Sequence, residues 1–431
     1  ICQASKRDHW RIDQVIAACL PFKKDEAAVK MRAPSIAANV DMALLAVIVL
    51  LLGIGLVMVG SSSISIAEKQ MGNPFHYLQR QVVFAIAGIM AAAITVNIPI
   101  KIWEKMGLML VITSYALLIA VLIPGIGKTV NGSTRWIPMG LINLQASEAV
   151  KLLMIIYMGG YLVRRGENVR ESFRGFCVPM TLLAITAILL LLEPDFGATV
   201  VIATTCMGML FLAGARLWQF AMLSGIAMLL MSILAITSPY RMQRLTAFLN
   251  PWEDPFNSGF QLTQSLIAIG SGDWFGAGLG NSVQKLFYLP EAHTDFLFAV
   301  YAEEMGLIGV AFLIVLFGFL VMRAMRIGAT SEAEGRTAGG YLSYGIAIWI
   351  GMQAFINMGV NMGMLPTKGL TLPLMSYGGS SLIIMCAALG ILLRVDYENR
   401  SAHISATKVA TTAEGTKKRS LKKGKKAEKA E

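Results

Sequence analysis

Apolar residues along this chain occur in runs of about twenty, the length at which an α-helix crosses the hydrocarbon core of a bilayer. One long polar segment, residues 237–295, separates the seventh run from the eighth. The pattern predicts an all-α polytopic membrane protein with about ten transmembrane helices and one large extracytoplasmic loop between helices 7 and 8. The runs lie near residues 41–60, 81–98, 107–124, 143–163, 177–192, 196–214, 217–236, 296–322, 339–361 and 373–393.

Basic residues between the runs indicate the orientation of the helices. They follow the even-numbered runs, as at Lys101, Arg164, Arg216 and Arg323. Because loops rich in Lys and Arg remain in the cytoplasm, both termini are predicted to be cytoplasmic and the loop at 61–80 to lie outside. The C-terminal tail is rich in Lys and poor in apolar residues, so it is predicted to be disordered. The predicted parts are an N-terminal tail (1–40), a transmembrane domain (41–395) and a basic disordered tail (396–431).

Composition supports a membrane protein and argues against other classes. Hydrophobic residues make up 55% of the 431 residues, charged residues only 15%, and the mean hydropathy is +0.62. The net charge of +11 would indicate nucleic-acid binding in a soluble protein, but here the basic residues lie in tails and alternate loops, so no nucleic-acid partner is predicted. The five cysteines show neither a disulfide framework nor metal-ligand spacing. The polar residues 1–40 do not predict a cleavable signal peptide.

Two charged residues lie inside the fourth apolar run. Glu148 and Lys151 are three residues apart, which places them on one helix face within pairing distance. Ionisable side chains inside a membrane are costly and therefore point to function. Two interpretations stay open: the pair only fixes helix packing, or Lys151 is held by Glu148 facing a polar cavity that accepts an anionic group.

Cations also occur on the predicted outer side of the membrane. In the large loop, Arg241 and Arg244 are spaced i, i+3, and Lys285 follows near the end of the loop. Positive charge outside runs against the usual topology bias, and the planar guanidinium group suits phosphate, so these residues predict a phosphate site. Arg135 and Trp136 add a cation and an amphipathic ring at the outer interface.

The large loop ends in an acidic segment at the boundary between water and membrane. Asp295 follows Glu291 and His293 just before apolar residues resume. Partial burial raises the pKa of a carboxyl group toward the range of a general base, whereas a neighbouring cation lowers it. The alternative is that Asp295 only caps the following helix. In that helix, at least one of Glu303 and Glu304 is expected to face the protein interior.

Two further motifs interrupt the predicted helices. In Glu193-Pro-Asp195 a helix-stopping Pro is combined with acidic residues that favour the start of the next helix, so capping explains much of it. Residues 365–381 carry Lys368, two prolines and a pair of glycines. This composition is typical of a broken or re-entrant helix that lines a polar cavity.

Together these segments resemble the SEDS family (shape, elongation, division and sporulation), the membrane glycosyltransferases that polymerise peptidoglycan. The resemblance covers about residues 41–395, and the motifs are specific jointly rather than singly. The segment 366–373 resembles the division-type members more than the elongation-type members, in which the Lys is not typical. The motifs are Asn131-Gly…Arg135-Trp136, Gln145-Ala-Ser-Glu148…Lys151, Glu193-Pro-Asp195, Arg241…Arg244, Pro290-Glu-Ala-His-Thr-Asp-Phe296, Glu303-Glu-Met-Gly306 and Ser376-Tyr-Gly-Gly-Ser-Ser381.

The resemblance implies a ten-helix protein of the bacterial inner membrane, at the division septum, with lipid II as substrate. It implies a class B penicillin-binding protein transpeptidase and other divisome membrane proteins as partners. It also implies that Asp295 is the essential acidic residue. The residues expected to bind or support the substrate are Arg80, Arg135, Glu148, Lys151, Arg241, Arg244, Lys285, His293, Lys368 and Ser376.

In this interpretation Asp295 takes the proton from the acceptor sugar hydroxyl as that hydroxyl attacks the anomeric carbon of the donor. The pyrophosphate-lipid leaves with inversion, and cations stabilise its charge, with Mg²⁺ or Mn²⁺ as candidate cofactors. Two rival functions stay open. A lipid II flippase fits the Glu148–Lys151 pair and the broken-helix segment, and a non-catalytic scaffold would recruit the transpeptidase.

Overall fold

A computed structural model shows a bundle of α-helices with one small β-sheet. It describes residues 40–130, 133–140, 143–216, 218–222, 225, 248–257, 259–286, 288–367 and 369–427, with side chains up to Ile404, and all of them belong to one unit, residues 39–431. The strands are β1 (Lys128–Val130), β2 (Ser133–Pro138) and β3 (Asn143–Gln145). The helices are α1 (Met42–Met71), α2 (His76–Asn97), α3 (Ile100–Lys105), α4 (Gly107–Leu122), α5 (Ala146–Glu171), α6 (Phe173–Leu192), α7 (Phe196–Leu212), α8 (Phe260–Ser271), α9 (Leu297–Ala333), α10 (Thr337–Asn361) and α11 (Gly379–Ala427).

The helices have the length and composition of a polytopic membrane protein. Among the described residues, six helices are long and apolar enough to cross a membrane, namely α1, α2, α5, α6, α9 and the part of α11 before Ile404. Helices α4 and α7 are shorter and also apolar. A helix occupies nine of the ten predicted apolar runs, and the seventh run, 217–236, lies largely outside the described residues. The predicted class of helical polytopic membrane protein is confirmed, apart from the small sheet, which the sequence did not predict; the count of about ten transmembrane helices and the position of the large loop stay predictions.

The centre of the bundle is formed by α5 and α10. Helix α5 packs against α4, α6, α7 and α10, and 83% of its most apolar stretch is buried, against 33% for α1. Small residues permit this close approach. A Cβ atom added at Gly159 of α5 would lie 3.2 Å from the Leu342 side chain of α10. Because lipid is as apolar as the helix surfaces, such close packing, rather than removal from water, holds membrane helices together.

The outer end of α1 differs from the sequence prediction. The predicted loop at 61–80 is wrong for residues 61–71, because α1 continues to Met71. The three consecutive serines are buried inside the helix, and the Ser61 hydroxyl donates to Glu304 Oε1 at 2.6 Å. A polar run at the end of an apolar run therefore marks an internal contact here and not the end of the helix.

The C-terminal boundary also differs. The predicted disordered tail begins at residue 396, whereas α11 continues through residue 427. The first residues of this predicted tail pack against other helices. Asp396 Oδ2 accepts a hydrogen bond from the Asp41 main-chain N–H at 2.9 Å, and Asn399 Oδ1 accepts one from Arg336 at 2.8 Å. These contacts satisfy polar groups that the composition alone assigned to a solvated tail.

Candidate functional site

Asp295 lies two residues before α9 and is held from two sides. The side-chain amides of Asn357 and Asn361 on α10 donate to its main-chain carbonyl at 2.9 and 3.1 Å. On the other side, a Cβ atom added at Gly369 would lie 2.9 Å from Asp295 Oδ2. The N-cap position of α9 is Phe296, and no side chain caps it. The interpretation of Asp295 as a helix cap is therefore wrong, and its carboxyl group is available for chemistry.

The charges around Asp295 set its proton affinity. Burial raises the pKa of Asp295 most, the Glu291 and Asp195 carboxylates add to this effect, the Arg135 guanidinium opposes it, and the resulting pKa is about 7. Burial lowers the pKa of His293, against the opposing effect of Glu291, which favours the neutral imidazole. Asp295 is therefore an acid–base group near neutral pH, the range in which a general base is effective.

The three-stranded sheet places Arg135 where its charge acts on the Asp295 carboxyl group. Antiparallel β2 pairs with β1 and β3, with Trp136 opposite Lys128 and Gln145. The predicted turn at Asn131-Gly132 lies outside the described residues. Arg135 donates to the carbonyls of Glu193 and Pro194 and lies 3.9 Å from Asp195 Oδ1. The sheet thus positions the Arg135 side chain against the loop between α6 and α7.

The Glu193–Asp195 motif has more than a capping role. Asp195 does cap α7, accepting from Ala198 N–H at 3.3 Å, as predicted. It also accepts from the Ser147 hydroxyl at 2.8 Å. Glu193 is fully buried, and neither carboxyl oxygen has a partner in the described part of the chain. Burial and then the Asp195 carboxylate raise the pKa of Glu193 to about 8, so it is protonated at pH 7.

The predicted Glu148–Lys151 pair is present and buried. The Lys151 ammonium group lies 2.8 Å from Glu148 Oε1 and 2.7 Å from Gln353 Oε1. It also lies 5.4 Å from the ring centroid of Trp349. Gln353 in turn donates to the Thr371 carbonyl at 2.9 Å. The pair therefore connects through α10 to the irregular segment that contacts Asp295.

That irregular segment joins α10 to α11, and its part from Leu370 to Ser376 is mostly buried. The interruption of the helix is as predicted, and the polar cavity that the segment was expected to line stays a prediction. The Ser376 hydroxyl accepts from Leu372 N–H at 2.9 Å, and the Gln81 amide donates to the Ser376 carbonyl at 3.1 Å. Tyr377 N–H donates to the His293 carbonyl at 2.9 Å. Ser376 thus shapes the segment, and the segment is tied to the end of the large loop.

An aromatic cluster borders the site at the start of α2. The Tyr77 ring lies 4.6 Å from the His293 ring and 5.2 Å from Tyr377, measured between centroids. Arg80 is exposed, with its guanidinium carbon 5.9 Å from the Phe84 ring centroid. The structure therefore packs His293 against Tyr77 and Tyr377 and places Arg80 at the edge of the cluster.

The Lys285 side chain contacts groups on α1, on α9 and in the large loop. Its ammonium group lies 2.9 Å from Glu304 Oε1, 3.0 Å from the Ser61 hydroxyl and 2.7 Å from the Gly280 carbonyl. Both Glu303 and Glu304 are buried, as expected for at least one of them. The predicted substrate cations Arg241, Arg244 and Lys368 lie outside the described residues.

Sequence reasoning missed the buried amides of α10. Gln353, Asn357 and Asn361 are spaced four residues apart, which places them on one helix face. Each connects α10 to the segments around Asp295. The overlooked sequence signal for this helix face is the repetition of amide side chains at every fourth residue of an otherwise apolar helix.

A metal ion remains a prediction. Among the described residues, no group of three or more His, Cys, Asp or Glu side chains is arranged to hold one. Mg²⁺ is commonly bound through one or two carboxylates together with phosphates of the substrate and water. Asp295 and Asp195, both close to Arg135, are the carboxylates that would contribute to such a site.

Comparisons with known proteins agree with this architecture. Residues 42–401 match the FtsW/RodA/SpoVE family model, described as "Cell cycle protein". The chain is 58% identical to the probable peptidoglycan glycosyltransferase FtsW of Thioalkalivibrio sulfidiphilus, over 84% of this chain and 91% of the relative. It is 56% identical to the protein of the same name from Legionella pneumophila, over 81% and 89% of the two chains.

Two solved structures share the fold. One was described under "Structural coordination of polymerization and crosslinking by a peptidoglycan synthase complex", with a TM-score of 0.69, 28% identity, and coverage of 84% of this chain and 98% of the other. The other is the rod shape determining protein RodA of Thermus thermophilus, with a TM-score of 0.61, 28% identity and coverage of 83% and 96%. The chain therefore belongs to the FtsW/RodA/SpoVE family of cell cycle proteins, the SEDS family.

Proposed function

We propose that this protein is a peptidoglycan glycosyltransferase that polymerises lipid II into glycan strands during septal wall synthesis. Its family and the named activity of relatives that are more than half identical support this function. The observation that carries the catalytic assignment is Asp295, whose main-chain carbonyl is held by Asn357 and whose carboxyl group, under the charge of Arg135, has a pKa of about 7.

Asp295 acts as the general base. It accepts the proton of the acceptor sugar hydroxyl while that oxygen forms a bond to the anomeric carbon of the donor. The bond from the anomeric carbon to the phosphate oxygen breaks, and its electron pair leaves with undecaprenyl pyrophosphate. Because pyrophosphate is a good leaving group, one carboxylate suffices where a glycosidase uses two.

The cations of the chain stabilise the leaving pyrophosphate. Negative charge grows on the phosphate oxygens as the bond breaks, and fixed positive groups lower the barrier most where that charge develops. Arg135 is a cation whose charge acts on Asp295, and Arg80 borders the cluster around His293. Arg241, Arg244 and Lys368 complete the proposed set.

The proposed topology has about ten transmembrane helices, both termini in the cytoplasm and the large loop outside. The alternation of basic loops supports it. The proposed partner is a class B penicillin-binding protein transpeptidase, with other divisome proteins nearby. A related chain in a synthase complex that coordinates polymerization and crosslinking supports such a partner.

The test is polymerisation of purified lipid II in detergent, where no flipping is needed. The wild-type protein should form glycan strands, and Asp295→Asn should be slower by at least about a hundredfold, because general base catalysis contributes that much. Asp273→Asn is the matched control, since Asp273 is exposed in the same loop.

Full activity of Asp295→Asn would remove Asp295 from the mechanism. Absence of polymerisation by the wild-type protein, even with the transpeptidase added, would favour the flippase or the scaffold. Strand formation is measured by electrophoresis of labelled product.

A further inference from the structure

The glycine-rich part of the large loop is fastened to α9 where that helix is broken. Gly306 has a φ of +65° and ψ of −169°, which interrupts the helix. Loop backbone replaces the lost helical hydrogen bonds on both sides of Gly306. The bonds are Leu307 N–H to Asp273 O at 2.8 Å, Ile308 N–H to Trp274 O at 3.2 Å, Ala277 N–H to Glu303 O at 2.9 Å and Gly278 N–H to Glu304 O at 3.1 Å.

The side chains of Glu303 and Glu304 fasten the next part of the loop. Glu303 accepts from the Ser282 hydroxyl and from Val283 N–H, the latter at 2.8 Å. Glu304 accepts from the Lys285 ammonium group at 2.9 Å and from the Ser61 hydroxyl of α1. Lys285 and Glu304 are both buried, so their charges compensate each other away from water.

A short, tightly turned stretch separates Lys285 from Asp295. Leu289 N–H donates to Gln284 O at 2.9 Å, and Phe296 N–H donates to Glu291 O at 3.2 Å. Glu291 itself has a φ of +57°. These backbone hydrogen bonds restrain the stretch between Lys285 and Asp295, and this restraint is the physical link on which the inference below depends.

We infer that the Lys285–Glu304–Ser61 contact is a lock that positions Asp295 for the reaction, and that Lys285 does not bind the pyrophosphate. Lys285 is a positioning residue, because its ammonium group already contacts Glu304, Ser61 and the Gly280 carbonyl. A substrate phosphate would have to displace a buried carboxylate, leaving that charge without its partner. The inference rests on the proposed glycosyltransferase function.

The test compares Lys285→Met, Glu304→Gln and the double variant in lipid II polymerisation, with Lys101→Met as a control at an exposed position. Each single variant should lower kcat about 10- to 100-fold with KM unchanged, because misplacement of a catalytic group by about 1 Å costs that much. The double variant should be no slower than the slower single variant, since either change opens the same lock.

Other outcomes contradict the lock. A raised KM in Lys285→Met with normal Glu304→Gln would show that Lys285 binds substrate. Losses that multiply in the double variant would show independent roles. If Lys285→Met does not fold, Ser61→Ala keeps both charges and should still lower kcat with KM unchanged.

A readout independent of catalysis separates this inference from the proposed function. Hydrogen exchange of the amides in residues 272–296 should accelerate in Lys285→Met and Glu304→Gln and stay at the wild-type rate in Lys101→Met. Unchanged exchange would overturn the lock even if the protein polymerises lipid II. Accelerated exchange in a protein that does not polymerise lipid II would support the lock and contradict the proposed glycosyltransferase function.

Discussion

Asp295 has an acid–base character that its residue type does not provide. An aspartate in water is ionised well below neutral pH, but burial and the nearby Glu291 carboxylate raise the pKa of Asp295 to about 7. Arg135 opposes this shift, and Asp195 holds Arg135 in place while adding its own negative charge. Two carboxylates and one cation thus tune the proposed base.

This arrangement predicts the pH dependence of the reaction. A general base must be ionised, so kcat/KM should fall as pH decreases through about 7, the folded-state pKa of Asp295. Arg135 lowers that pKa, so Arg135→Gln should move the acidic limb of the kcat/KM profile to higher pH. Arg326→Gln, at an exposed position on the predicted cytoplasmic side, is the control and should leave the limb in place.

The pH at which kcat/KM falls does not depend on the absolute rate. It therefore separates an electrostatic effect on Asp295 from a general loss of active protein. An acidic limb at the same pH in Arg135→Gln would mean that the guanidinium group does not act on Asp295.

At the scale of elements, α9 is two structures in one helix. Its 37 residues would extend about 55 Å, well beyond the roughly 30 Å core of a bilayer. Residues 297–304 before the break are buried in protein. After it, Leu307 and Ile308 are half exposed, as expected for a lipid-facing surface. The break at Gly306 divides the site-bearing part of α9 from the membrane-facing part.

Substitution of Gly306 should therefore be costly. A Cβ atom there would lie 2.4 Å from Gly276 N, and the positive φ disfavours any other residue. We expect Gly306→Ala to lower the free energy of unfolding by about 2 to 4 kcal/mol, from backbone strain and overpacking. The measurement is thermal unfolding in detergent.

Gly318→Ala is the matched control in the same helix, since a Cβ there would have nothing within 4 Å. It should be neutral or slightly stabilising, because Ala favours helix more than Gly does. Equal effects of the two substitutions would mean that the break at Gly306 is not required.

At the scale of the molecule, a second polar cluster ties the helix ends together on the predicted cytoplasmic side. Asp41 caps α1 and pairs with Arg323 of α9. Its main-chain N–H also donates to Asp396 of α11, which pairs with Arg400 at 2.9 Å. The first and last described helices are thus joined at the end of the bundle opposite to that proposed for the catalytic site.

The proposed orientation predicts which side of the membrane each end faces. In intact cells, a membrane-impermeant maleimide should label Phe75→Cys, between α1 and α2, and should leave Lys101→Cys, at α3, unlabelled until the cells are opened. Both positions are exposed in the fold, so a difference in labelling reports topology. The reverse pattern would invert the topology and place Asp295 in the cytoplasm.

The sequence by itself determined the membrane class, the positions of nine helices and the family. Runs of apolar residues specify helices in a bilayer locally, because every backbone polar group must be satisfied within its own segment. The Glu148–Lys151 pair followed from helical spacing for the same reason, since its members share one turn.

The tertiary structure decided how distant residues combine. It paired Lys285 with Glu304, buried Glu193 without a hydrogen-bond partner among the described residues, and joined the α10 amides to the Asp295 backbone. It also extended α1 and α11 through polar residues that composition had assigned to a loop and a tail. These outcomes depend on which buried polar group each side chain meets in space, and that pairing is fixed only when the helices pack.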